Sequence, residues 1–386
     1  MSRSTELLDN LMEVVMNSLL ELIQCGQSYW MDNLSRGMIQ SGALKKRIVK
    51  QGLRGITSNP TIFNKAISTS ADYDGQIRHL AGAGAPVEDI YEQLVVKDVQ
   101  DACDLLLPVF DESKRFDGFV SLEVSPYLAH DTERTMQETR RLFKAVDRPN
   151  VLIKIPGTAA GVLAIEEMLY EGVNINITLL FSVERYEEVA KAYLTALERR
   201  LAQGKPIDNV ASVASFFLSR IDILVDQLLQ HRMAQKDGPA QALIGKVAIA
   251  NAKLAYQSFK KIFSSNRWKK LEAKGAHVQR PLWASTSTKN PQYSDVCYVE
   301  PLIGSHTVNT MPEETIAAFA DHGRVKQNTV EENVIEAAQT MAELERLGID
   351  FRCVAWQLEN EGVQKFIDPF AELMRTIAEK RERLAA

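Results

Sequence analysis

The chain has 386 residues, 45% of them hydrophobic and 25% charged, and its 45 lysines and arginines against 50 aspartates and glutamates leave a formal net charge of −5. These values are typical of a globular protein with one large domain or two to three smaller ones. They argue against a nucleic-acid-binding surface, which needs clustered positive charge, and no run of about 18 apolar residues predicts a transmembrane helix.

Two further patterns concern location and cofactors. The first residues do not resemble a signal peptide, because acidic residues such as Glu6 and Asp9 interrupt the apolar ones. The four cysteines include no CxxC pair, and the six histidines form no HExxH or clustered metal pattern. We therefore expect a cytoplasmic protein with no metal or other cofactor and no nucleic-acid or membrane partner. The oligomeric state is left open.

Eight short runs, each apolar or alternating and each ending in small or polar residues, predict β-strands. In chain order they are 28–35, 53–60, 117–126, 150–158, 174–182, 209–217, 280–288 and 296–304. Amphipathic segments separate them, such as 161–172, in which the apolar residues fall on one helical stripe. Alternating strands and helices predict parallel βαβ units, and eight units match an α/β fold of the (β/α)8 TIM-barrel type.

The length beyond eight units predicts additional helices on one barrel domain that spans residues 1–386. We expect an N-terminal helix (5–24) within residues 1–27, a helical insertion at 221–270 and C-terminal helices at 330–386. A doubly wound sheet is the main structural alternative. The chain lacks the GxGxxG turn of its dinucleotide-binding form and lacks a Walker A sequence, which favours the barrel.

Three neighbouring strands carry polar side chains on one face and aliphatic ones on the other. The polar set is Ser121, Glu123 and Ser125, then Lys154, then Asn174, Asn176 and Thr178. If the aliphatic face packs against the helices, Glu123, Lys154, Asn176 and Thr178 converge near the C-terminal mouth of the barrel, where barrel active sites lie. An antiparallel strand with one solvated face is the alternative for 174–182.

Lys154 is the most unusual residue of this set, because a lysine within an apolar strand is costly unless it is paired or neutral. Burial of an amine disfavours its charged form and so favours a nucleophile near neutral pH. Such an amine can add to a ketone carbonyl and form a Schiff base. The alternative is a buried ion pair of Lys154 with Glu123 that has only a structural role.

The segments NVLIKIPGT (150–158) and GVNINITLLFS (172–182) resemble those of transaldolases, the Schiff-base enzymes of the pentose phosphate pathway. Other motifs of that family are similar and occur in order: YWMDNLSRG, GITSNPTIF, VSLEVSP, SFFLSRID and a basic residue after an Ala-Ser strand end. The resemblance covers the chain from about residue 28 to the C-terminal helices.

This resemblance implies a role for each matching residue. Lys154 forms the imine with C2 of a ketose, Asp32 moves the C4 hydroxyl proton during C3–C4 cleavage, and Glu123 with Thr178 holds a water that relays protons. The implied substrate-binding residues are Asn59, Asn176 and Ser215 for the dihydroxyacetone part, and Arg220, Lys289 and Ser285 or Ser287 for the phosphate.

The implied activity is transfer of a dihydroxyacetone unit between sugar phosphates. The donors are sedoheptulose 7-phosphate or fructose 6-phosphate, and the acceptors are glyceraldehyde 3-phosphate or erythrose 4-phosphate. The imine accepts the electrons of the broken bond, so no metal ion is needed. Two alternatives stay open: a Schiff-base aldolase that releases the three-carbon unit, and a catalytically silent barrel that binds sugar phosphates.

Some of these residues also have ordinary structural interpretations. Asp32 could cap the helix after the first strand, Asn59-Pro60 is a turn signal, and Arg220 could pair with Asp222 or Asp226. The segment ASTSTKNP is longer than the family pattern, which leaves open which serine contacts phosphate and how far Lys289 reaches. We expect a scaffold role near the mouth for His306, Thr307 and Asn309, and a packing role for Trp30 and Trp283.

Overall fold

The computed structural model describes residues 17–234 and 238–385. In this part of the chain eight parallel strands close into a barrel, with each strand beside its neighbour in sequence and the eighth beside the first. The strands are β1 (Gln27–Met31), β2 (Gly55–Ile56), β3 (Phe119–Glu123), β4 (Val151–Pro156), β5 (Ile175–Leu180), β6 (Ser212–Phe217), β7 (Arg280–Ala284) and β8 (Thr307–Met311). The predicted (β/α)8 fold class is therefore confirmed, whereas the assignment of residues 1–386 to one domain stays a prediction.

Helices occupy the connections between these strands except that from β7 to β8, which has only a short 3-10 helix, and further helices precede β1 and follow β8. The helices of the described residues are α1 (Ser18–Gln24), α2 (Arg36–Gln40), α3 (Ala43–Gln51), α4 (Pro60–Thr69), α5 (Asp74–Gly82), α6 (Val87–Glu112), α7 (Thr132–Val146), α8 (Ala159–Glu171), α9 (Val183–Ala202), α10 (Ser219–Ala234), α11 (Val247–Ile262), α12 (Asn266–Glu272), α13 (Glu313–His322), α14 (Val334–Arg346) and α15 (Phe351–Ala385). None of them is both long and apolar enough to cross a membrane, as far as the described residues extend.

Capping side chains start several helices just after the strand ends. The side chains of Ser35, Asn59, Thr158 and Ser182 each accept a hydrogen bond from a backbone N–H in the first turn of the helix that follows. Helix α8 also approaches the end of β4 so closely that a Cβ at Gly161 would lie 1.9 Å from the carbonyl oxygen of Pro156. These contacts place the start of each helix close to the C-terminal end of the strand before it.

The eighth strand is the one that the sequence pattern misplaces. The predicted run 296–304 forms a loop with a short 3-10 helix at Glu300–Leu302, since Pro301 has no N–H to give to a strand ladder. Thr307 and Asn309 lie within β8 instead, as buried strand residues. His306 precedes β8 and packs its ring against Phe116, at the end of the barrel opposite the strand C-termini. The expected position of these three residues at the mouth is therefore wrong.

The additional helices agree partly with the expected ranges. The described N-terminal helix begins at Ser18, because Asn17 is extended and caps it, so Asn17 is not part of the predicted helix 5–24. Residues 5–16 lie outside the described part. Helix α11 lies wholly, and α10 and α12 lie mostly, within 221–270, and both α14 and α15 lie within 330–386. Residues 235–237 and 386 are outside the described residues.

Polar residues tie three strands together at the N-terminal end of the barrel. The Arg280 guanidinium donates to Asp117 and to the hydroxyl of Ser28, both at 2.8 Å, and Ser28 and Trp30 Nε1 donate to the same aspartate. The Arg280 and Asp117 side chains are 3% and 10% exposed. Trp30 therefore packs as predicted, and so does the buried Trp283, which donates to the carbonyl oxygen of Leu302.

Replacing Arg280 should destabilise the barrel without a direct effect on the chemistry at its other end. Arg280→Ala leaves Asp117 as an uncompensated buried charge, for which a loss of about 3–5 kcal/mol in the free energy of unfolding is expected. Urea unfolding followed by circular dichroism measures it. The control is Arg352→Ala, which removes an exposed ion pair to Asp350 and should change the free energy of unfolding by less than about 1 kcal/mol. Equal losses in the two variants would contradict the role of this network.

Candidate active site

A cavity of about 460 Å³ opens at the C-terminal ends of the strands. Most of the predicted site residues line it: Asp32, Asn59, Lys154, Thr178, Ser215, Arg220, Ser285, Ser287 and Lys289. Glu123 and Asn176 do not line this cavity, but each is in register with Lys154 on a strand beside β4. The structure thus brings the predicted residues together from the ends of seven strands, β1 to β7, and from the segments that follow them.

Lys154 lies on β4 and is almost fully buried, with 4% of its surface exposed. Its Nζ donates to the carbonyl oxygen of Ser58 at 3.1 Å and to Oε2 of Glu123 at 3.4 Å. The same Nζ is 5.6 Å from the centre of the Phe366 ring. The ammonium therefore has three partners from three different elements, and it still borders the cavity. The ion pair with Glu123, which is the structural alternative for Lys154, is present as a contact of 3.4 Å beside the cavity.

Two buried side-chain oxygens on the strands beside Lys154 are free to form hydrogen bonds. Neither Oε1 of Glu123 nor Oγ1 of Thr178 has a hydrogen-bond partner among the described residues. Burial raises the pKa of the Glu123 carboxyl above its usual range, and the charge of Lys154 acts in the opposite direction. Glu123 and Thr178 lie on β3 and β5, the strands that flank Lys154, so these atoms can bind small polar groups near the amine.

Asp32 follows directly after β1 and points into the cavity. Its Oδ1 accepts a hydrogen bond of 2.7 Å from the hydroxyl of Thr57, which in turn lies 2.7 Å from the hydroxyl of Thr310. Burial raises the pKa of the Asp32 carboxyl, while the charge of Lys154 and the Thr57 hydrogen bond lower it. The cap of α2 is Ser35, so the alternative of Asp32 as a helix cap is wrong.

Amides and serines form a second polar group at the site. Asn176 donates to the hydroxyl of Ser121 at 3.0 Å and accepts from Ser215 at 2.7 Å, so its amide has a defined orientation. Asn59 uses its Oδ1 to cap α4 through the N–H of Ile62 and also lines the cavity. Its amide nitrogen is the part of the side chain that can donate to a molecule bound there.

Arg220 lies at the start of α10, where its guanidinium carbon is 5.0 Å and 5.6 Å from the ring centres of Phe217 and Phe366. Its Nη1 is buried and has no hydrogen-bond partner among the described residues. Burial lowers the pKa of Arg220, although nearby carboxylates oppose this. Arg220 does not pair with either expected alternative, since Tyr298 and Tyr293 donate to Asp222 and Asp226 instead.

The residues after β7 complete the cationic side of the cavity. Lys289 Nζ donates to the hydroxyl of Ser287 at 2.6 Å, so the longer loop does bring this lysine back to the site. Ser285 has a φ of 55°, and its hydroxyl lies 2.8 Å from that of Ser219 at the start of α10. Both serines line the cavity. Two cations and the N-terminus of α10 can thus bind an anion here.

The C-terminal helix α15 adds a wall that the sequence patterns do not predict. Lys365 and Phe366 line the cavity, and Phe366 contacts both Lys154 and Arg220. A Cβ at Gly362 would lie 3.0 Å from Leu179, so a glycine there lets α15 come close to β5. Ser58 and Thr57 lie within the quoted GITSNPTIF motif, which could have indicated them. No local signal marks Phe366, because its contact is made across more than half of the chain.

Over nearly its whole length the chain is similar to proteins named transaldolase. The chain is 52% identical to the transaldolase of Trichodesmium erythraeum, an alignment that covers 96% of this chain and 99% of that protein. It is 50% identical to a Nostoc protein named Transaldolase 2, over 96% and 100% of the two chains. It is 46% identical to the transaldolase of Mycobacterium bovis, over 93% and 95%.

A protein-family model described as Transaldolase/Fructose-6-phosphate aldolase matches residues 29–377. This range includes most of β1, all of the other seven strands and all the residues that line the cavity. By this match and by its relatives at about half identity, the chain belongs to the transaldolase/fructose-6-phosphate aldolase family.

Proposed function

We propose that the protein is a transaldolase, which transfers a dihydroxyacetone unit from a ketose phosphate to an aldose phosphate through a Schiff base on Lys154. The observation that carries the proposal is a buried lysine that borders a cavity between carboxylates on one side and two cations on the other. The substrates are those of the pentose phosphate pathway: sedoheptulose 7-phosphate or fructose 6-phosphate as donor, and glyceraldehyde 3-phosphate or erythrose 4-phosphate as acceptor. The cytoplasmic location expected from the sequence stays a prediction.

Imine formation is the first step of this scheme. The Lys154 amine adds to C2 of the ketose, and the resulting carbinolamine loses its hydroxyl as water. That loss needs a proton, which Glu123 supplies through a water that it holds together with Thr178. The free oxygens of these two side chains support this assignment, and the raised pKa of Glu123 suits a group that both gives and takes a proton.

Cleavage of the C3–C4 bond is the second step, and Asp32 acts as its base. The Asp32 carboxylate takes the proton of the C4 hydroxyl, and the C4–O electrons form the carbonyl of the departing aldose. The electrons of the broken bond move to C3 and are accepted by the protonated imine as an enamine. The hydrogen bond from Thr57 supports this role, because it fixes the direction of the carboxylate.

Transfer requires that the enamine stays bound until the acceptor arrives. In this scheme Asn59, Asn176 and Ser215 hold its hydroxyls, and Arg220 and Lys289 bind the phosphate of the acceptor. The enamine carbon then attacks the acceptor carbonyl, and Asp32 returns the proton to the new hydroxyl. Hydrolysis of the imine releases the product ketose. The polar contacts of Asn176 and Ser215 support a fixed position for the three-carbon unit.

A fructose-6-phosphate aldolase is the second candidate, since the matching family description includes that activity. It would release free dihydroxyacetone rather than transfer it. Incubation with fructose 6-phosphate, with and without erythrose 4-phosphate, separates the two activities. We expect sedoheptulose 7-phosphate to form only when the acceptor is present, with little free dihydroxyacetone. Rapid release of free dihydroxyacetone without acceptor would favour the aldolase.

Trapping of the Schiff base tests the proposal most directly. Borohydride reduction in the presence of fructose 6-phosphate should inactivate the enzyme and leave a covalent adduct on Lys154, detected by peptide mass spectrometry. Lys154→Ala should form no adduct and should lose turnover by more than about 10⁴-fold. An adduct on a different lysine, or full activity of the variant, would refute the assignment.

Full turnover after treatment with EDTA is also expected, because the imine accepts the electrons of the broken C3–C4 bond.

Replacement of Asp32 should separate imine formation from cleavage. Asp32→Asn is expected to form the borohydride adduct as the wild type does, but to release aldose phosphate about 10²- to 10⁴-fold more slowly, as expected for loss of a general base. Single-turnover experiments with quantified adduct measure both steps. Cleavage at the wild-type rate in this variant would contradict the role of Asp32.

The same carboxyl predicts an acid limb in the pH profile. Asp32 acts in its ionised form, and burial raises its pKa, so cleavage should decline as the pH falls through a midpoint above the usual value of about 3.9 for aspartate. The single-turnover cleavage rate of the wild type across the acidic range measures this midpoint. A rate that stays constant down to the usual aspartate pKa would contradict the expectation.

The phosphate contact of Arg220 can be tested with its closest substitute. Arg220→Lys keeps the charge but loses the forked geometry, so the KM for phosphorylated substrates should rise about tenfold or more. Unphosphorylated fructose, a poor donor, provides the control when its cleavage is measured in a single turnover without acceptor, since no phosphate then takes part and the rate should change little. An equal loss with both donors would indicate a role for Arg220 outside phosphate binding.

A further inference from the structure

A second cavity of about 560 Å³ lies beside the active site, between α6, α7, α15 and the end of β3. Its volume is in the range of about 300–1,000 Å³ that is typical of small-molecule sites. Apolar side chains from three elements, including the buried Val95, Leu122 and Leu142, form much of its inner wall. Of the residues that line this cavity, the scheme proposed above uses Glu123 and no other.

Aromatic rings form the side of the second cavity next to α15. The Phe370 ring lies edge-on to those of Tyr91 and Tyr127, with ring centres at 5.3 Å and 5.7 Å. Tyr127 is 57% exposed, so this aromatic wall can be reached from solvent. Three rings around one space are suited to a flat apolar group and to a cation placed against a ring face.

The charges of the second cavity differ in sign from those at the phosphate side of the active site. Glu88, Glu92, Glu123 and Glu138 line it together with a single guanidinium, that of Arg141. Both Glu92 and Glu138 accept hydrogen bonds from Arg141 and so neutralise it. The excess of carboxylates repels sugar phosphates and attracts organic cations.

Glu123 connects the two cavities. It lines the second cavity, is only 7% exposed, and still places its Oε2 3.4 Å from Lys154 Nζ. Its Oε1 has no hydrogen-bond partner among the described residues. On α15, Phe366 lines the active-site cavity, and Phe370, one turn later, lines the second one. A buried carboxylate with free hydrogen-bonding capacity therefore stands at the inner end of an aromatic, negatively charged cavity.

We propose that the second cavity binds small aromatic ammonium compounds, and that a bound compound slows the reaction by pairing its N–H with Glu123. The aromatic part of the ligand packs against Phe370 and the two tyrosines, and the ammonium lies among the carboxylates. The Glu123 carboxylate then interacts with the bound ammonium as well as with Lys154. The effect on rate rests on the function proposed above for Glu123, whereas the binding does not.

The test uses N,N-dimethylphenethylamine as the probe and the full chain as the protein. The protonated tertiary amine carries one N–H and cannot form an imine with the aldose substrate. Isothermal titration calorimetry should give a dissociation constant on the order of 1 mM. The anion 3-phenylpropionate, of similar size, should bind at least about tenfold more weakly, because the cavity repels negative charge.

Two variants on the exposed surface of α15 locate the site. Ala371→Trp places an indole in the second cavity and should abolish binding of the amine, whereas Glu379→Trp, further along the helix and not among the cavity residues, should leave it unchanged. Glu123→Gln should weaken binding about tenfold through loss of the charged partner. Binding that survives Ala371→Trp, or that fructose 6-phosphate displaces, would overturn the assignment of the site.

Kinetics then test the coupling to Glu123. The amine should lower kcat with little change in KM, and the Ala371→Trp enzyme should be insensitive to it. An unchanged kcat at saturating amine would overturn the coupling. Because the binding experiments need no turnover, a protein that binds the amine as expected but has no transaldolase activity would refute the proposed function and leave the second site standing.

Discussion

The burial of one lysine ammonium within a barrel of apolar strands is the constraint on which the rest of the site depends. An unpaired charge at such a position would cost several kcal/mol, as for any poorly solvated ion, so the surroundings of Lys154 must compensate it. They do so with a carbonyl oxygen after β2, a carboxylate on β3 and a ring on α15. These contacts compensate the charge while the amine still borders the cavity, so stability and reactivity have a common structural basis.

Much of the site could be predicted from the sequence, because the relevant signals are local. Alternation along β3, β4 and β5 separates polar from aliphatic faces, and parallel strands of a barrel all end at the same mouth. These two rules are enough to predict that Glu123, Lys154, Asn176 and Thr178 lie at one site, with no distance between them measured. The sequence around Asn59 is compatible with either a helix cap or a site residue, and in the structure the one side chain both caps α4 and lines the cavity.

The features that could not be predicted depend on long-range packing or on a misleading local pattern. The loop 296–304 is more apolar than β8 itself, so hydrophobicity favours the wrong segment as the eighth strand. The threonines and the asparagine of β8 are buried against neighbouring strands although they are polar. Leu179, with a φ of 60°, shifts the register of β5 against β6 just after Thr178, a bulge that alternation does not indicate. Phe366 and the Arg280 network join residues far apart in sequence, and their own segments carry no sign of it.

Because α15 follows the barrel strands in the chain, the active site is completed late during translation. Translation runs from the N-terminus, so all eight strands leave the ribosome before the helix that supplies Phe366 and the glycine contact to Leu179. Until α15 has been translated, Lys154 therefore lacks its aromatic cover. A covered, fully formed reaction centre therefore exists only once α15 has been translated, so chemical competence depends on a part of the chain that follows the barrel.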